Sequence, residues 1–136
     1  MLIDAQNIKM ENFNLKGADL SYVDFTNASF KNSNLEGVDL TGSLLLNVNL
    51  ENTNLSKATL TNAVFKNVNL KNTNLDEVYL FNTKIEWETI DNASDIVKRI
   101  PKISNLTKQD RKEILDFAIK RSKEIFRSCP SESGVD

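Results

Sequence analysis

Residues 33–62 read SNLEG VDLTG SLLLN VNLEN TNLSK ATLTN, six blocks of five with leucine in the third place of each. The same beat runs outward in both directions. Every fifth position from 10 to 90 is large and apolar: Met10, Leu15, Leu20, Phe25, Phe30, Leu35, Leu40, Leu45, Leu50, Leu55, Leu60, Phe65, Leu70, Leu75, Leu80, Ile85 and Ile90. Two places earlier stands a small or aliphatic residue, from Ala18, Val23 and Ala28 through Ser33, Ser43 and Thr53 to Val78 and Thr83. Only Ile8 and Phe13 bring bulk there, and only Glu88 a charge.

A period of five matches neither the 3.6 of a helix nor the 2.0 of a strand, so no straight element keeps these residues on one side. The chain must turn in every block. Each unit then buries its apolar residue only by stacking on the next, as solenoids do. On SNLEG, VDLTG, ATLTN and AVFKN the chain resembles the pentapeptide repeat family, whose pattern is A(D/N)LXX, over about residues 3–92. The resemblance implies an all-β solenoid, a right-handed quadrilateral β-helix with four pentapeptides per coil, here about four coils.

A second period of twenty supports four blocks per coil independently. Asn14, Asn34, Asn54 and Asn74 precede the centre of every fourth block, and Asn32, Asn52, Asn72 and Asn92 close the block before. Both columns are expected to hydrogen-bond amide to amide, coil to coil, at a spacing of about 4.8 Å. Beside them Lys31, Glu51, Lys71 and Asp91 alternate in sign. The centre and the small residue before it should face inward, and the other three residues outward.

The 136 residues suit one domain with an appendage. The expected division is a β-helix over 1–92, a helical cap or appendage over 93–128 and a disordered tail over 129–136. SDIVKRIPK reads as a short helical turn stopped by Pro101. Thr107 then reads as the N-cap of a longer helix, with Asp110 three residues on. That helix carries an apolar stripe of Ile114, Leu115, Ala118, Ile119, Ile125 and Phe126, and opposite it Lys112, Asp116, Lys120 and Glu124 at i,i+4. Residues 1–92 carry seven basic and twelve acidic side chains and residues 93–136 ten and seven, or −5 and +3. An open solenoid end needs a cap. The C-terminal helix is expected to supply it, to cover one side, or to recruit a second chain.

The absence of histidine excludes Ser-His-Asp and Cys-His nucleophile systems. Cys129, the sole cysteine, lies in the polar tail, and no phosphate-cradling glycine motif occurs. Asp19 and Asp39 should stack one coil apart, near enough to share a cation or raise one pKa, but no further ligand converges on them. The expectation is a protein with no catalytic, cofactor-binding or metal site. With neither a leader pattern nor a long apolar run, it is expected to be cytoplasmic, with no membrane and no nucleic acid as partner.

Outward apolar residues are the informative exception. Around the centres Phe25, Leu45, Phe65 and Ile85, the preceding residue runs Asp24, Leu44, Val64, Lys84. Leu44 should stack on Val64 with Leu46 beside them, while Tyr79 and Phe81 face outward one side earlier and Trp87 follows at the corner. Contiguous exposed apolar surface marks a contact, here with the chain's own helix, a second copy or another protein. The function expected is a non-catalytic scaffold for protein–protein interaction. The resemblance implies an alternative, mimicry of B-form DNA that binds or protects DNA gyrase. About 4.5 coils span only roughly 22 Å, against about 34 Å for one turn of duplex. Duplex of that length carries about thirteen charges, against a net of −5 here.

Overall fold

The five-residue beat is realised as a backbone turn after every centre. In the computed structural model, which describes residues 1–86, 107–109, 111–113, 115 and 116, a left-handed residue stands two places after each centre from Ala5 to Leu80, with φ between 54° and 70°. Asparagine fills most of these places, including Asn27, Asn47 and Asn67, and glycine three. Both tolerate positive φ better than other residues do. A typical turn closes when the N–H of Ala18 donates to the Leu15 carbonyl (3.0 Å) or that of Thr53 to the Leu50 carbonyl (3.1 Å).

Four turns return the chain to its starting side one coil on. The first side holds strands β1 (Ile3–Asp4), β2 (Val23–Asp24), β3 (Leu44–Leu46), β4 (Val64–Lys66) and β5 (Lys84–Ile85) in one parallel sheet of order β1-β2-β3-β4-β5. Its register advances by twenty residues: Asp24 pairs with Leu44, Leu44 with Val64 and Val64 with Lys84. The second side is bridged through Lys9, Ser29, Asn49 and Asn69, the third through Asn14, Asn34, Asn54 and Asn74, and the fourth through Asp19, Asp39, Thr59 and Tyr79. This is the four-sided β-helix that the period of twenty implies. Backbone bonds run both ways between coils: the Leu35 N–H donates forward to the Asn54 carbonyl (2.7 Å), and the Asn54 N–H back to the Ser33 carbonyl (3.1 Å).

Inside, the centres meet. Leu35, Leu45, Leu50 and Leu55 have no exposed surface, and Phe25 and Phe30 pack edge to face at 5.0 Å. Leu15, Leu20 and Ile85, in the first coil and at the last strand, are only partly buried. The small inward site explains its own serines and threonines. Ser43 Oγ donates to the Leu20 carbonyl (2.7 Å) and accepts the Val23 N–H (3.0 Å). Thr53 and Thr73 donate to the Phe30 and Leu50 carbonyls (2.9 and 2.7 Å). A buried hydroxyl is tolerated because the preceding coil always offers it an acceptor.

Of the two expected ladders, one forms a single rung among the described residues and the other none. Asn52 Nδ2 donates to Asn32 Oδ1 (3.0 Å), but the Asn34 column is satisfied locally. There the oxygens of Asn14, Asn34, Asn54 and Asn74 each accept the backbone N–H two residues on, at 2.9–3.2 Å. A residue just before the centre has the turn N–H within reach of its own amide, whereas one just after the turn points off the corner toward its copies. The corner position accordingly yields a ladder absent from the sequence reading, Asn67 to Asn47 (2.6 Å) and Asn47 to Asn27 (3.2 Å). Of the alternating charges, Lys31 and Glu51 pair at 3.8 Å. Asn92 and Asp91 lie outside the described residues, as do the boundaries at 93, 128 and 129, the turn before Pro101, Cys129 and most of the apolar stripe.

Residues 108, 109, 111 to 113, 115 and 116 are helical. The Arg111 N–H donates to the Thr107 carbonyl at 3.1 Å, which starts the helix where an N-cap at Thr107 puts it. Lys112 pairs with Asp116 at 2.9 Å, one of the i,i+4 contacts read from the sequence, and Asp116 raises the Lys112 pKa by accepting its hydrogen bond.

Candidate contact surface

The turn after each centre decides which side chains leave the prism. On the first side Leu45 is fully buried, so its neighbours Leu44 and Leu46 project outward, and Phe65 does the same for Val64 and Lys66. Leu44 pairs with Val64 and Leu46 with Lys66. All three apolar residues are half-buried. Above and below them the column is charged, with Asp24 before and Lys84 after.

The start of the C-terminal helix lies close by. Val64, Lys84, Ile85 and Glu86 line an open depression of about 430 Å³ whose other wall is Thr107, Gln109 and Glu113. Gln109 and Glu113 are joined to each other at 3.0 Å, while Leu115 on the helix is exposed. Among the described residues the wall presented to Val64 is therefore polar. This proximity has no local signal, because it depends on where the chain returns after twenty intervening residues.

Tyr79 and Phe81 project from the fourth side of the last coil, 43% and 61% exposed, and Trp87 lies outside the described residues. The fold adds an exposed aromatic that sequence reading passes over. Tyr22 occupies a left-handed corner (φ 57°) and lays its ring across Gly42. A Cβ at Gly42 would fall 2.5 Å from that ring, so the glycine next in the column makes room for the tyrosine.

Asp19 and Asp39 pair one coil apart, as expected, with a different electrostatic result. The Asp19 pKa is lowered, not raised. The Ser21 hydroxyl (2.5 Å) and then the Ser21 N–H (3.1 Å) donate to its carboxylate and stabilise the charged form. Both aspartates hold turns in the same way, Asp39 through Thr41. Among the described residues no cluster of three or more His, Cys, Asp or Glu side chains is placed to hold a metal, and no helix is long and apolar enough to cross a membrane.

Comparison with known proteins gives the same repeat. The family model for pentapeptide repeats matches residues 10–45 and 43–80, with eight copies. Among solved structures the chain is similar to the pentapeptide repeat protein Rfr23 from the cyanobacterium Cyanothece 51142, with 30% identity over 64% of this chain and 62% of that one (TM-score 0.49). It is similar also to HetL, a pentapeptide repeat protein involved in heterocyst differentiation regulation from Nostoc sp. strain PCC 7120, with 30% identity over 60% of this chain and 38% of that one (TM-score 0.23). QnrB1, a plasmid-mediated fluoroquinolone resistance protein, shares 16% identity over 76% of this chain and 99% of its own (TM-score 0.25). The chain thus spans less than two thirds of the Rfr23 and HetL chains. No curated protein matches it. With the repeat matched over more than half its length and the coils built from those same blocks, the chain belongs to the pentapeptide repeat family.

Proposed function

We propose that this protein is a non-catalytic scaffold that binds a protein partner through the first side of its β-helix, at Leu44, Leu46 and Val64. One observation carries the reading: a column otherwise polar, from Asp24 to Lys84, turns apolar in two successive coils and leaves those side chains half-exposed. Nothing in the turn or the core requires leucine or valine there, since Asp24 serves in the same register. Apolar residues kept outside a core are the kind that bind. Tyr79 and Phe81 extend apolar surface onto the adjoining fourth side. A scaffold also suits a chain without histidine, whose interior is filled by Leu and Phe.

DNA mimicry has weaker support. It calls for acidic columns along the prism, yet Asp4 and Asp24 give way to Leu44, and Asp19 and Asp39 to Thr59. Gyrase supercoiling assays with added protein test it directly, and no effect is expected.

The scaffold reading is tested by Leu44→Glu combined with Val64→Glu, compared with wild type in affinity capture. Both positions face outward, so the variant should keep its circular dichroism spectrum and melting temperature while losing a captured protein. Retention of every captured protein by a folded variant would overturn the reading.

A further inference from the structure

Resting on that reading of the first side, we propose that the partner it takes is a second copy of this chain, docked face to face with its coils running the opposite way. The first observation is the order of charge along the column that holds the apolar patch. Successive coils place Asp4, Asp24, Leu44, Val64 and Lys84 in one register. The column therefore runs from acidic through apolar to basic. Lys66, which pairs with Leu46, adds a second lysine at the basic end. Both lysines are exposed, whereas Glu86, twenty residues after Lys66, is half-buried. The Glu113 carboxylate, on the other wall of the depression beside Lys84, accepts a hydrogen bond from Gln109.

The second observation is that this order is complementary to its own reverse. A two-fold axis perpendicular to the first side, crossing the column between Leu44 and Val64, turns the facing copy end for end. Asp24 of each copy then meets Lys84 of the other, and Leu44 meets Val64. Opposite charges close both ends of an apolar centre, and each contact occurs twice. A two-fold axis along the prism instead sets Asp24 on Asp24 and Lys84 on Lys84, which repel.

Shape agrees with this occupant. The first side is the face of a five-stranded sheet whose backbone groups are spent between coils, as in the Phe25 N–H to the Leu44 carbonyl (2.9 Å) and the Val64 N–H to the Ser43 carbonyl (3.0 Å). An extended peptide finds no strand edge there to pair with. A second flat side, with the same spacing between coils, sets its side chains against these in register. Leu44 and Leu46 do not line the depression beside the helix start, and both keep exposed surface. The face is only a few residues wide, so the association is weak, concentration-dependent and sensitive to salt.

Sedimentation velocity of the full chain over a dilution series at low ionic strength tests this, with mass read against the 15.4 kDa of one chain. The expected result is a dimer at high concentration that dissociates on dilution and on addition of salt. Asp24→Lys and Lys84→Asp should each raise the Kd by about tenfold or more, because one substitution puts two like-charge contacts into a symmetric pair. Aspartate and lysine already both stand in this column, so each variant should keep its circular dichroism spectrum. Asp24→Lys combined with Lys84→Asp reverses both members of the contact and should restore the wild-type Kd, which damage to the fold could not do. Leu44→Glu with Val64→Glu should give a folded monomer. A wild-type chain monomeric at every concentration would overturn the proposal, and a different captured protein lost from the folded Leu44→Glu, Val64→Glu variant would then leave the scaffold reading standing without it. A dimer indifferent to the single reversals, or one that the double reversal fails to restore, would overturn it as well.

Discussion

The first and third sides of the prism are built from the same beat yet end in different surfaces. On the third side Asn34, Asn54 and Asn74 each tie their amide oxygen to a turn N–H in their own coil. On the first side Asp24 does the same with Thr26, but Leu44 and Val64 have no polar atom with which to do so. Their coils stand nonetheless, because the inward residues and the bonds between coils hold them. The difference separates two kinds of position: the inward pair is dictated by packing, while the residue before the centre helps its turn when polar and is otherwise free to serve a contact.

The largest expected effect erases the comparison. Leu45 and Leu55 are both fully buried, one under each side, so Leu45→Asp and Leu55→Asp should each cost more than about 4 kcal/mol. Urea denaturation followed by circular dichroism would show both variants largely unfolded. A stable fold in either would mean that the two sides do not share one core.

Smaller effects separate the hydroxyls beneath the two sides. Ser43→Ala strands the buried Val23 N–H as well as losing a donor, at about 1–3 kcal/mol. Thr53→Val loses only a donor to a carbonyl that still accepts the Ser33 N–H (3.0 Å), at about 1 kcal/mol. Equal costs would argue against the dual role of Ser43.

The outward residues give the contrast itself. Asn54→Ala removes the bond to the Ser56 N–H and should cost about 0.5–1 kcal/mol, whereas Leu44→Asn should cost about 0.5 kcal/mol or less. Thermal melts of the two variants side by side are sufficient. A large loss from Leu44→Asn would make that leucine a fold residue rather than a contact residue.

Much of this was legible because burial in a narrow prism acts on single positions. Every centre from position 10 on reads as Leu, Phe or a near substitute, and the stacking of Leu44 on Val64 follows from counting by twenty. The role of each asparagine was not legible, because one side chain can cap a turn or join a ladder. Corner asparagines such as Asn47 join ladders and those before the centre cap turns as Asn34 does, while Asn69 does both, accepting the Lys71 N–H and donating to Asn49 at 3.4 Å. The fate of Asp19 was hidden for a related reason: stacked carboxylates suggest repulsion, while the Ser21 donors two residues away dominate. The approach of Gln109 and Glu113 to Val64 is a long-range event that no repeat encodes.

The smallest effect concerns Asp19 on the fourth side. Its folded pKa is depressed, so its contribution to stability is complete above the ordinary carboxylate pKa and is lost as pH falls through the lower folded value. Ser21→Ala removes the first cause and should move that pKa back up toward the ordinary range. Carboxyl NMR titration would show the shift, and an unchanged pKa would assign the depression elsewhere.

The contrast between the two sides is tested most directly by a photo-crosslinking amino acid placed in turn at positions 44 and 54 of the full chain, under conditions in which the partner is present. The predicted result is a crosslink to another protein from position 44 and none from position 54. Equal crosslinking from both positions, or crosslinks from position 44 confined to the chain's own residues 107–127, would contradict it.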